Sequence, residues 1–221
     1  MTAGRPDSVE SRDELAGLSE PWFADELFGD ASVTIRRYVD ILATDGVVRG
    51  LIGPRETDRL WDRHVLNSVA ISGLIRADAE VVDVGSGAGL PGIPLAVLRP
   101  DLRVTLLEPL LRRVTFLTET VDALGLGDRV RVVRGRAEEH GEQYDVVAAR
   151  AVAPLARLVQ WCVPLRRPGG VILALKGRSA AEEVAEAGPE LAATGLTVEQ
   201  LSVRAHPSLE PATVVRLGTG D

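Results

Sequence analysis

The chain has 221 residues, 45% of them hydrophobic and 26% charged, and a formal net charge of −7. One cysteine, Cys162, excludes an intrachain disulfide and a cysteine-based zinc site, and no metal is expected. There is no run of eighteen apolar residues, and residues 1–14 lack the apolar segment of a secretory signal, so no membrane partner is expected and the location read from the sequence is cytoplasmic. The acidic balance argues against coating nucleic acid over the whole surface, while leaving room for a local basic patch.

Residues 1–19 are charged and contain Gly, Ser and Pro without a sustained period, which predicts a flexible leader. Residues 20–75 then read as a small helical cap. Ser32 is placed to start a helix that carries Ile35, Tyr38, Ile41 and Leu42 on one side, and Gly46 to end it. After a loop over Val47–Glu56, Thr57 is the expected cap of a second helix, with Trp61, Val65 and Val69 on one face and Arg59 and Arg63 opposite.

Residues 76–221 read as the main domain. Glu80–Pro94 is EVVDVGSGAGLPGIP: a β-branched run, glycines at 85, 87 and 89, then apolar residues that start a helix. A strand entering a glycine turn before a helix is where nucleotide-like ligands often sit, because glycine permits positive φ and lets a ligand approach the backbone. Further strands are expected over Arg103–Leu107, Val130–Val133, Asp145–Ala149 and Val171–Leu175, with helices between these first five. The most periodic of these helices has Leu110, Val114, Leu117, Val121 and Leu124 on one face and stops at Gly125, and Pro168-Gly169-Gly170 reads as the turn into the fifth strand. Ser179 and Glu182 have capping-box spacing. The runs Thr197–Val203 and Ala212–Leu217 are linked too closely for a helical crossover and must pair antiparallel. The fold class is therefore α/β with an N-terminal helical cap, and the order of its seven strands, the last inserted antiparallel, resembles the Rossmann-like methyltransferase sheet.

A dinucleotide fingerprint can be laid on Gly87, Gly89 and Gly92, with Glu108 about twenty residues beyond. Its phase is wrong, because the glycines begin at Gly85, directly at the strand end, and Leu90 then occupies the third glycine position. Asp83 to Gly89 instead resembles the D-x-G-x-G-x-G loop of S-adenosylmethionine-dependent methyltransferases. Gly89-Leu90-Pro91-Gly92-Ile93-Pro94, together with Arg59 to Ser68 (RLWDRHVLNS) and Leu175-Lys176-Gly177, is similar to the bacterial 16S ribosomal RNA guanine-N7 methyltransferase family, also called glucose-inhibited division protein B. The likeness runs from about residue 30 to 217. It departs at Val47–Pro54 (VVRGLIGP), where the family commonly has an asparagine-rich N-K-x-x-N-L-T-like segment.

The resemblance and the strand order together nominate the site. Gly85, Ser86, Gly87 and Gly89, followed by Leu90, are expected beneath the methionine part of S-adenosyl-L-methionine. The alternative is a tight turn without ligand. Glu108, ending the second strand, is placed to accept the ribose hydroxyls, unless it is a solvated acid beside Arg112 and Arg113. The resemblance puts the adenine at Ala137 and Glu138. It also implies that Arg150, at the end of the fourth strand, contacts cofactor or substrate, its fork of donors suiting a phosphate or a guanine edge. Lys176 is the second positioning candidate, and with Arg150 and Arg178 would form a positive mouth. Arg63 and Asn67 are candidates for RNA contact. His64 is one too, although its helical neighbours Leu60 and Ile71 suggest a partly buried structural role. Trp161 and Cys162 share a face with Leu155, Leu158 and Val159 and read as core.

Guanine N7 offers an in-plane lone pair and no proton, so methylation there needs no general base and no catalytic residue is assigned with certainty. The exit of the fourth strand, AARAVAP, lacks the Asn/Asp-Pro-Pro-aromatic signature of exocyclic amine methyltransferases, and Cys162 is not in a Pro-Cys nucleophile loop. The expected enzyme is a monomer that methylates a guanine of 16S rRNA in the small ribosomal subunit or its precursor. Alternatives are a small-molecule methyltransferase of the same fold and a non-catalytic S-adenosylmethionine-binding regulator.

Overall fold

The computed structural model describes residues 20–219; the leader expected over residues 1–19 lies outside them. Seven strands form one sheet in the order β3-β2-β1-β4-β5-β7-β6. They are β1 Glu80–Val84, β2 Arg103–Glu108, β3 Val130–Arg134, β4 Tyr144–Arg150, β5 Arg166–Lys176, β6 Thr197–Val203 and β7 Ala212–Gly218. The first five are parallel, and β7 is antiparallel to both of its neighbours. The chain leaves β1 towards β2 and β3 and then returns to β4 on the other side of β1, and the crevice at that reversal is where open α/β sheets take ligands.

The short apolar runs make strands because both faces of the sheet are covered. Helices Gly92–Leu98 (α4) and Leu111–Ala123 (α5) lie with the N-terminal segment on one face, sharing a core with Val81, Val104, Leu106 and Val146. Leu155–Cys162 (α6), Ala180–Glu186 (α7) and Gly188–Ala193 (α8) cover the other, around Val82, Val147 and Ile172. Of these, the longest is α5, in which Phe116, Leu117 and Val121 are buried and Gly125, at φ +66°, ends the turn.

The N-terminal segment comprises Ala24–Phe28 (α1), Ser32–Ile41 (α2) and Asn67–Val69 (α3), with π-helical turns over Leu42–Gly46 and Leu60–Leu66. Tyr38, Leu42, Leu60, Val65 and Ile71 are fully buried and join the core of the sheet.

Several local expectations need correction. Gly46 does not stop the first helix, whose turns continue past it to Gly50 at φ +67°; Gly46 is buried, and a Cβ there would sit 3.3 Å from Ile52. Thr57 lies inside a 3₁₀ turn, Pro54–Arg59, and its hydroxyl donates back to the Pro54 carbonyl instead of capping a helix. The Ser32 hydroxyl likewise donates to Gly29 O at 2.7 Å and caps nothing. Leu110 precedes α5 and is 48% exposed. No full helix joins β3 to β4, only the 3₁₀ turn Ala137–Glu139. Pro168-Gly169-Gly170 lies within β5, where the register against β4 jumps. There Gly170 faces the Asp145 carbonyl so closely that a Cβ would lie 2.7 Å from it. Ser179 meets Glu183 rather than Glu182, at 3.3 Å, so the expected capping box is absent.

Candidate active site

The chain leaves β1 through three glycines at φ +68°, +59° and +98° (residues 85, 87 and 89), a left-handed path that side chains resist by about 1–2 kcal/mol each. Space restricts them as well: a Cβ on Gly85 would lie 2.9 Å from Val152 Cγ1, and one on Gly89 would lie 2.4 Å from Ile93 Cδ1. The turn is pinned from both sides. The Ser86 hydroxyl donates to Asp83 O at 2.8 Å, Gly89 N–H to Ser86 O at 2.7 Å, and the buried Tyr38 hydroxyl, from α2, to Ala88 O at 2.8 Å.

Glu108 is 1% exposed, which excludes the solvated-acid alternative. Its Oε2 accepts the Gly87 N–H and its Oε1 the Leu110 N–H, both at 3.0 Å, and Arg113 lies 3.6 Å away. A carboxylate oxygen accepts more than one hydrogen bond, so capacity remains on the cavity side. That cavity, about 920 Å³, is lined by Gly85, Glu108, Ala137, Glu138 and Trp161, a size suited to a nucleoside-type cofactor. Trp161 is therefore not simply core: it is half-buried at this wall, with the Arg157 guanidinium 4.9 Å over its ring. Cys162 is fully buried, and burial pushes its thiol up to about 12, which makes it inert.

Asp83 has a role beyond its place in the glycine motif. It is completely buried; Oδ2 accepts the Gly92 N–H at 3.0 Å, and Oδ1 has no partner. Burial pushes its pKa up to about 7 against the opposing effect of these hydrogen bonds. The sequence signal was an acid inside the apolar run Val81–Val84. Gly92 in turn has no room for a side chain, since a Cβ would stand 2.3 Å from Leu106 Cδ2 and 2.9 Å from Asp83 Oδ2. The glycines and Asp83 thus build a backbone cradle, which fits the methionine half of S-adenosylmethionine.

Gly85, Ser86, Gly87 and Leu90 also line a smaller hollow of about 240 Å³ with His64 and Arg150, roofed by Leu51 and Ile52. The atypical Val47–Pro54 segment accordingly presents apolar side chains to the glycine turn. Arg150 leads to a third cavity, about 580 Å³, between the exits of β4 and β5, lined by Arg63, Asn67, Ala151 and Lys176 among others.

Here the structure corrects the expected positive mouth. Arg150 is not free: Nη1 donates to His64 O at 3.0 Å and Ser68 Oγ at 3.1 Å, and Nη2 to Arg63 O at 2.7 Å and His64 Nδ1 at 3.2 Å. Arginine has only donors, so His64 Nδ1 accepts and its Nε2–H donates to Glu56 Oε2 at 3.1 Å. Burial, then the Arg150 charge, lowers the His64 pKa, so the ring is neutral, structural and engaged at both nitrogens. Lys176, 6% exposed, donates to Ala153 O at 2.8 Å and Glu183 Oε2 at 2.7 Å. Both cations are thus braces within the fold, although Lys176 keeps one of its three donors and Arg150 its Nε–H outside these bonds. Arg63 is half exposed and paired with Glu56, Asn67 is partly buried at the cavity wall, and Arg178 is exposed outside the cavity.

Among the described residues, the arginines without a carboxylate partner are spread over the fold, Arg37 on α2, Arg103 on β2, Arg166 on β5 and Arg178 and Arg204 after β5 and β6 among them, and a few border the large cavity. Arg134 and Arg136 line the large cavity, Arg157 stands over its Trp161 and Arg112 is in the first turn of α5. Arg55 and Arg59 lie on the 3₁₀ turn before His64. Sequence counting cannot separate these from the arginines already spent on Asp or Glu.

The strand order, the reversed β7 and the glycine cradle define the class: an S-adenosylmethionine-dependent methyltransferase. Solved structures with this fold include precorrin-6y C5,15-methyltransferase from Geobacter metallireducens (TM-score 0.53, 18% identity, covering 76% of this chain and 90% of that one) and mitomycin 7-O-methyltransferase (TM-score 0.59, 18% identity, 90% and 68%). The chain itself belongs to the rRNA small subunit methyltransferase G (GidB) family, whose model matches residues 32–210. Proteins called ribosomal RNA small subunit methyltransferase G are 54% identical over 207 residues in Nocardioides sp. (92% of this chain, 82% of that relative). In Thermobifida fusca the identity is 54% over 194 residues (87% and 81%), and in Salinispora tropica 59% over 168 (72% and 69%).

Proposed function

We propose that this enzyme transfers a methyl group from S-adenosylmethionine to N7 of a guanine in 16S rRNA, acting as a cytoplasmic monomer on the small ribosomal subunit or its precursor. The observation that carries the choice of atom is the state of the ionisable groups around the acceptor cavity. Arg150, Lys176, Glu183 and the neighbouring His64 are all held by internal partners, and Glu186, the cavity's other carboxylate, is exposed to solvent on α7, so no buried base stands ready to remove a proton. An acceptor that already presents its lone pair suits such a cavity. Membership of the family supplies the class of RNA.

S-adenosylmethionine brings an electrophilic methyl group and a neutral thioether leaving group. The protein's part is placement. The positive-φ turn Gly85–Gly89 supports the methionine chain, Glu108 takes the ribose hydroxyls, and Ala137 and Glu138 with Trp161 border the adenine. Arg150 locks the N-terminal segment (residues 20–75, read as a cap) to the end of β4, fixing the wall beside Asn67 against which the guanine lies. Holding the lone pair in line with the methyl group accounts for most of the acceleration. Phosphates are met by the unpartnered arginines Arg112, Arg134, Arg136 and Arg157, a local patch on an acidic protein. No helix among the described residues is long and apolar enough to cross a membrane.

Mass spectrometry of 16S rRNA digests from cells with and without the gene tests this reading. It expects one N7-methylguanosine to vanish on deletion and to return with the wild-type gene. An unchanged digest would refute it.

A further inference from the structure

Trp22 lies far from the glycine turn in sequence and is 78% exposed, an unusual position for an indole. Its orientation is nonetheless fixed. Phe23, 4% exposed, stacks on His206 from the β6–β7 loop at 4.0 Å and 6°, and Trp22 stands perpendicular to both, at 5.5 and 5.7 Å. Two loops distant in sequence thus brace one exposed ring.

The ring opens on a cavity of about 330 Å³ whose walls include Asp62, Leu66, Asn67 and Arg204. Asn67 also lines the cavity between the β4 and β5 exits, so the two hollows share a wall residue. The polar groups here differ from those of a phosphate track. Asp62 accepts, Arg204 donates and Asn67 does both, with Glu210 at the rim; a nucleobase edge carries both donors and acceptors, whereas a run of phosphates asks for cations alone. Self-association is disfavoured by the same charges, because the centre of a stable dimer interface is depleted of them.

We propose that Trp22 is a stacking platform for an unpaired base of the substrate RNA, a neighbour of the methylated guanine, whose edge is read by Asp62, Asn67 and Arg204. This rests on the RNA reading above and adds a second contact to it. Specific recognition of RNA favours splayed bases stacked on aromatic side chains, and the exposed indole, on a hollow that shares Asn67 with the acceptor cavity, provides such a surface.

The test is steady-state methylation of small subunits from a deletion strain by wild type, Trp22→Ala, Trp22→Phe and Val33→Ser, an exposed apolar control. Calorimetry with S-adenosylmethionine verifies that each variant is folded. Expected are a KM for subunits raised about 10-fold or more in Trp22→Ala with kcat retained, recovery to within about 3-fold in Trp22→Phe, and no change in Val33→Ser or in cofactor affinity. Active wild type with an unaltered KM in Trp22→Ala would overturn the platform while leaving the RNA reading intact. Wild type without activity on subunits would overturn both. A sedimenting dimer that Trp22→Ala dissociates would assign the indole to self-association and overturn the platform alone.

Discussion

The two halves of the carboxyl edge of the sheet are built by different means. At the proposed cofactor site, at the ends of β1 and β2, the surface is mostly backbone: three glycines at positive φ and a carboxylate, Glu108, that already holds the Gly87 amide. At the proposed acceptor side, beyond β4 and β5, it is made of long side chains with internal partners, Arg150 held by the turns around His64 and Lys176 by Glu183. A binding surface of backbone is fixed by a few adjacent residues. One of tied side chains depends on tertiary contacts, which for Arg150 reach more than eighty positions back along the chain, and a cation in it is a brace before it is a ligand.

The sharpest way to break the comparison is to remove the brace. Arg150→Met takes a donor from the Arg63 carbonyl, the Ser68 hydroxyl and His64 Nδ1, while the His64 carbonyl keeps its bond from Ser68 Oγ, and should cost about 2–4 kcal/mol. Hydrogen exchange should show residues 60–69 deprotected, while the glycine turn and affinity for S-adenosylmethionine change little. Equal deprotection of residues 83–92 would show that the two halves are not separate.

Asp83 sets the pH dependence of the cofactor half. Its pKa is about 7 in the fold and near 4 in the unfolded chain, so the folded state holds the extra proton between those values. Its contribution to stability is therefore greatest below pH 4, falls as pH rises through 4 to 7 at up to about 1.4 kcal/mol per unit, and is flat above. Thermal unfolding of cofactor-free wild type against Asp83→Asn should show a difference that follows this curve. A difference independent of pH would mean that Asp83 titrates normally.

Gly85→Ala places a methyl group against Val152 at positive φ, and calorimetry should show a loss of about tenfold in S-adenosylmethionine affinity in a protein that stays folded. The smallest effect belongs to the rim. Arg134→Ala with Arg136→Ala should weaken subunit binding several-fold and make log K less steep in log salt by up to about 2, whereas Lys176→Met should leave the salt slope unchanged.

This division also explains what the sequence disclosed. The strand run into Gly85, Gly87 and Gly89, the acid at 108 and the antiparallel final pair are local patterns, and each was readable as such. The bulge at Gly170 was not, because its cause is the facing Asp145 carbonyl. Nor was the engagement of Arg150 or Lys176, which follows from tertiary contacts with Arg63, His64, Ala153 and Glu183. Trp161 fell on an apolar helical face and yet borders the large cavity beside Ala137 and Glu138, a neighbourhood set by the turn after β3 and not by its own helix. Asp83 was visible as an acid among valines, but its isolation became physical only once both faces of β1 were covered.

The central claim, methyl transfer from this cradle to a ring nitrogen that has no proton to lose, meets its most direct test in vitro. Purified enzyme, methyl-labelled S-adenosylmethionine and small subunits from a deletion strain are incubated, and the 16S rRNA is digested and resolved by mass spectrometry. The account predicts about one labelled methyl group per subunit, recovered as N7-methylguanosine. Label in any other nucleoside, or none in 16S rRNA, would contradict it.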